Sequence, residues 1–155
     1  MNRKTLFLAV LTVSAAFSQA NTVTVRGAFD GRGVGTVQGP NLLITESGRG
    51  TASFLGRFVY NMKATVDLPT GLGNGTLQFV TANGDSLNGS YVSRAEGTDA
   101  TRIGYVVFLV RITGGTGRFQ GVTGTLSVDY LVDESSIPNP FASGSFSGTL
   151  TTAAK

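Results

Sequence analysis

Apolar side chains recur at every second position along most of this chain, and short clusters of Gly, Asn, Asp and Pro interrupt the pattern. Period two belongs to the pleated strand with one buried face, so this feature limits the fold more than any other. Val23, Val25 and Phe29 share one phase of Thr22–Phe29. Phe54, Phe58 and Tyr60 share one phase of Thr51–Val66, which reads as one long or bent strand. Gly75–Thr81 and Ser86–Ala95 alternate in the same way around "ANGD", and an Asn-Gly centre predicts a two-residue hairpin. Thr125–Val132 and Gly144–Thr151 continue the series with Leu126, Val128, Tyr130, Phe146 and Leu150 in phase. Arg102–Thr113 differs in being apolar on both faces, with Tyr105, Val107 and Leu109 on one and Val106, Phe108, Val110 and Ile112 on the other.

Beyond the N-terminal segment, no stretch combines helical spacing with good helix formers; Gly, Thr, Ser and Val occupy those places. Pro40, Pro69, Pro138 and Pro140 all fall in turn-like stretches. The expected fold is all-β, a single antiparallel β-barrel of about eight strands. A barrel is favoured over a sandwich because hairpin follows hairpin and closure removes exposed edges. Gly56, Gly89, Gly104 and Gly121 are read as strand-interior glycines suited to the bends of a small barrel.

The N-terminus reads as a secretory signal peptide over residues 1–20. Arg3 and Lys4 precede an apolar run from Leu6 to Phe17, and Ser18-Gln19-Ala20 supplies small residues for cleavage. The run is too short to span a bilayer, and there is no cysteine for a lipid anchor. The expected product is an exported protein, secreted or periplasmic, with one domain over residues 21–155 and no membrane contact after cleavage. Without Arg3 and Lys4, the 12 basic residues fall to about ten against 9 acidic ones. The remainder are scattered, so no nucleic-acid surface is expected.

The chain has no histidine and no cysteine. Nucleophilic triads and the usual zinc or copper ligand sets therefore have no residues to use, and no metal or cofactor is expected. Carboxylate, hydroxyl, amide and guanidinium groups remain. A glycosidase-like carboxylate pair is conceivable, although solvated surface acids are the commoner use of such residues.

"ITGGTGRFQGVTGTLSV", Ile112–Val128, carries five glycines and tests the one remaining motif class. A phosphate-binding loop needs a following lysine and helix, and the dinucleotide fingerprint needs glycine where Gln120 stands. Gly114, Gly115 and Gly117 are instead read as a tight turn between strands, with extended structure resuming at Arg118-Phe119-Gln120.

This stretch resembles the Gly-Gly-Ser/Thr-Gly-x-Phe-x-Gly-Val segment of plant allene oxide cyclases and the "GGTG-x-F" turn of dirigent proteins. The preceding "GSYVSRAEGTDATRIGYVVFLVRITGG" has the matching order of strand, polar turn and long apolar strand. "LGRF" at Leu55–Phe58, "TANGD" at Thr81–Asp85 and "GTGRF" at Gly115–Phe119 are similar to phrases of a bacterial secreted branch of that family. The resemblance spans roughly Gly50 to Leu150 and is most specific at Gly114, Gly115, Gly117, Phe119 and Gly121. It implies an eight-stranded barrel with an apolar cavity, and a homo-oligomer, by analogy a trimer built through outer barrel faces. The glutamate-containing pocket of the cyclases has no recognisable counterpart in Thr22–Glu46, nor do the dirigent aspartates. The resemblance thus implies fold more than activity.

Three functions follow as expectations. The first is binding of a small apolar or aromatic molecule inside the barrel, with Tyr60, Tyr91, Tyr105, Tyr130 and Arg111 as candidate ligand-binding residues. The second is an isomerase, cyclase or stereo-directing activity, which needs a buried charged group; Arg111 and Glu46 are the candidates. The third is an oligomeric structural or surface role.

Overall fold

A computed structural model of the chain describes residues 20–136 and 138–152. The expected signal peptide lies outside the described residues, except for Ala20. Eight antiparallel strands run in sequence order around a closed barrel: β1 (Thr22–Gln38), β2 (Asn41–Ala52), β3 (Gly56–Asp67), β4 (Leu72–Thr81), β5 (Ser86–Thr98), β6 (Ile103–Gly115), β7 (Thr123–Asp133) and β8 (Phe141–Thr151). Each strand pairs with its sequence neighbours, and β8 closes on β1 through Thr22↔Thr151 to Arg32↔Phe141. No edge is left unpaired, as the sequence leads one to expect.

Several local expectations need correction. Thr51–Val66 is two strands, not one. Ser53–Leu55 turns between β2 and β3, with Phe54 at φ +70°. The Asn-Gly centre forms a three-residue loop rather than a two-residue hairpin: the Thr81 amide bonds the Asp85 carbonyl, and the Gly84 amide the Thr81 carbonyl. Only Gly84 there has positive φ, +87°, whereas the two-residue turn needs it at both central positions. Arg118-Phe119-Gln120 does not resume a strand, because Gly117–Phe119 forms a 3-10 turn with Gln120 as its C-terminal cap. Gly56 begins β3 and Gly121 lies in the turn before β7, so neither is interior to a strand.

Inward positions are mostly apolar and outward ones mostly polar, the reverse of a lipid-facing barrel wall. The two ends of the interior differ. The end holding the β2–β3, β4–β5 and β6–β7 connections is packed solid. Phe58, Phe79 and Phe146 cluster there in edge-on and tilted contacts at centroid distances of 4.9–6.0 Å. Phe119 plugs this end, fully buried, with its ring 5.8 Å from Phe54. Arg118 clamps the plug, donating from Nη2 to the Leu55 carbonyl at 2.7 Å.

The opposite end is open. Outside, Val92, Tyr105, Val107, Leu109 and Leu131 form an exposed apolar band across β5–β7. The two-sided character of β6 is thus one face in the barrel and one in solvent.

Candidate functional site

The open half of the barrel encloses a cavity of about 510 Å³. Its walls are apolar: Ile44, Met62, Ala64, Val66, Val106 and Phe108 contribute from β2, β3 and β6. Val37 and Leu68 stand at the mouth, 64% and 48% exposed. The volume lies within the range of small-molecule pockets.

Glu46 closes the inner end. It sits in the inward phase of β2, opposite Gly33 on β1 and Met62 on β3, and is only 4% exposed. Tyr60 Oη donates to its Oε1 at 2.5 Å, and Tyr130 Oη donates to its Oε2. The two phenols approach from β3 and β7, so the carboxyl group ties distant strands together across the barrel.

Glycines make this geometry possible. A side chain at Gly31 or Gly48 would collide with the Tyr60 ring, and one at Gly75 with Tyr91. Small residues on inward positions of β1, β2 and β4 thus leave room for rings that arrive from β3 and β5. Behind the carboxyl group, Phe29 meets Tyr60 edge-on at 5.3 Å. Beside it, Tyr91, Phe108 and Tyr130 form a continuous stack with spacings of 4.8 and 5.0 Å. Tyr91 Oη donates to the Lys63 carbonyl at 3.2 Å.

Burial raises the Glu46 pKa above its ordinary 4.5, and the phenol donors Tyr130 and Tyr60 oppose the shift only in part. No cation compensates it: the ion pairs among the described residues are Arg49–Asp30, Arg94–Glu96 and Arg118–Asp85, all away from the cavity. Burial also raises the pKa of Tyr60, Tyr91 and Tyr130, with the Glu46 charge reinforcing the shift, so the phenols stay protonated as donors. The arrangement can hold a hydrogen-bond donor, or exchange a proton, at the end of an apolar chamber.

Of the residues singled out from sequence, Tyr91 and Tyr130 line the cavity, and Tyr60 supports Glu46 from its packed side. Tyr105 and Arg111 do not belong to it. Both occupy the outward phase of β6; Tyr105 is 44% exposed and donates to Asp99 at 3.1 Å, and Arg111 is exposed. Arg111 is therefore not the buried charged group, and Glu46 is. The glycine-rich stretch lies at the closed end, where Phe119 is a plug rather than a site residue. No group of His, Cys, Asp and Glu among the described residues has the arrangement of a metal site.

No family model, curated protein or solved structure matches this chain.

Proposed function

We propose that the protein is an exported binding barrel that encloses one small, largely apolar molecule and fixes its polar group on Glu46. The observation that carries this reading is the apolar cavity, open at one end and terminated by a single buried carboxyl group. An empty apolar chamber of this size forfeits packing contacts, and a filled one recovers them. The apolar mouth at Val37 and Leu68 gives such a molecule a favourable entry surface. The likeness of Ile112–Val128 to the cyclase and dirigent turn agrees with a hollow barrel.

The reading is tested by thermal unfolding of the chain from Asn21 onward against a panel of small apolar alcohols, phenols and amines. A ligand that binds only the folded state raises the midpoint as its concentration exceeds Kd. Ala64→Phe fills the chamber from its wall and is expected to abolish the shift. Absence of any shift across the panel, or shifts unchanged in Ala64→Phe, overturns the reading.

A second reading is favoured by one feature, a carboxyl group with a raised pKa facing an apolar chamber. Such a group can act as a general acid or base in an isomerisation of a bound apolar substrate. Turnover that vanishes in Glu46→Gln while binding persists would select this reading over binding alone.

A further inference from the structure

We propose that the cavity selects its ligand by head group and takes an apolar amine, with the ammonium seated on Glu46 and the hydrocarbon body against the chamber wall. This rests on the binding reading above and adds the chemical class of ligand.

The first argument is the inventory of donors at the inner end. Tyr60 and Tyr130 each spend their hydroxyl proton on Glu46, and Tyr91 spends its own on the Lys63 carbonyl. All three phenol protons are committed. What remains for a ligand is acceptor capacity: a carboxylate has about four lone-pair positions, and two are taken. At Glu46 a head group that only accepts, such as a carboxylate or ketone, finds no free phenol proton; the other side-chain hydroxyl in the wall is that of Ser93, two residues beyond Tyr91 on β5. An ammonium brings three donors.

The second argument is charge segregation. Among the described residues, the carboxylic acids lining the cavity are Glu46 at the inner end and Glu134 at the mouth, and no Lys or Arg lines it. Every Lys and Arg among the described residues is exposed. Around the mouth, the turns and strand ends carry Asp67, Glu96, Asp99, Asp133 and Glu134 against Arg94, which pairs with Glu96, and Arg102. The field from rim to inner end favours a cation and opposes an anion.

The third argument concerns desolvation. Glu46 is already removed from water with no cation beside it, so the fold bears that cost before any ligand arrives. A ligand cation therefore gains the attraction of the ionised carboxylate at the cost of its own desolvation and of releasing the proton from any Glu46 still protonated. A neutral hydroxyl gains one hydrogen bond, and an anion meets repulsion.

The test uses three ligands of one chain length: octylamine, n-octanol and octanoate, measured by isothermal titration calorimetry near neutral pH below their aggregation limits. The expected order is octylamine tightest, n-octanol weaker, octanoate weakest. Glu46→Gln keeps the side-chain shape and should lower octylamine affinity roughly tenfold or more while moving n-octanol only slightly. Octanoate binding as tightly as octylamine, or octylamine unaffected by Glu46→Gln, overturns the amine assignment while the binding reading stands. Failure of all three ligands to bind removes both. The wild-type order decides the matter even where the variant folds poorly.

Discussion

Tyr130 and Glu46 lie 84 residues apart in sequence, yet the phenol donates its proton to the carboxyl group inside the barrel. The bond joins β7 to β2, strands that are not neighbours in the sheet. It holds the one buried carboxyl side chain among the described residues at the boundary between the packed and open halves.

Tyr130→Phe removes that donor and leaves Glu46 Oε2 unpaired. A hydrogen bond to a buried carboxyl group is worth about 1–3 kcal/mol, so urea unfolding should show a loss of that size. Tyr60→Phe should cost a similar amount. The double variant should cost less or more than the sum, because both phenols serve one carboxyl group. Additive behaviour would mean the two bonds act on Glu46 independently of each other.

Stability should also depend on pH in a direction set by Glu46. Its folded pKa is raised above the ordinary 4.5, so over the interval between the two values the folded state holds a proton that the unfolded state has lost. Unfolding free energy should therefore fall as pH rises above 4.5 and level off once the folded group has ionised. Asp99 and Asp133 are held below their ordinary 3.8 by Thr101 and Ser135 hydroxyl donors, so they act at more acidic pH and in the opposite direction. Glu46→Gln should flatten the decline; a decline that persists in Glu46→Gln assigns it to another group.

At the closed end, Phe119→Ala should cost about 3–5 kcal/mol, the usual range for emptying a buried aromatic position. Gly117→Ala should also destabilise. Gly117 has φ +55°, and a methyl there runs into the Asp85 carboxylate. Neither variant touches the cavity, so ligand shifts should survive in any that remains folded.

The outward residues supply the contrasting case. Tyr105→Phe and Arg111→Ala should change stability by no more than about 0.5 kcal/mol, as surface substitutions do, and leave ligand affinity unaltered. A large effect of either on binding would place the site on the outer wall instead.

The barrel was legible because most inward positions carry large apolar side chains, so the alternation shows directly in the residues. Glu46 is a candidate from the sequence but is not placed by it, because its strand is nearly silent in that pattern. The inward phase of β2 runs through Glu46, Gly48 and Gly50 to the small Ala52, and that of β1 carries Gly31, Gly33 and Gly35. The space over Gly31 and Gly48 is filled by Tyr60, and that over Gly50 by Phe58. A strand whose core volume is lent by another strand has no apolar periodicity of its own. The signal that was available is glycine at alternate positions beside a single acidic residue. Tyr105 offers a phenol and Arg111 stands near the end of the most apolar strand, but phase decides location, and theirs is outward.

The most direct test is an isotope-edited NMR titration of the Glu46 side-chain carboxyl carbon, with and without octylamine. The free protein should show a midpoint above the ordinary 4.5, and bound ligand should move the midpoint down as the ammonium favours the ionised form. A midpoint at or below the ordinary value, unmoved by any ligand, would contradict a buried carboxyl group at the inner end of a binding cavity.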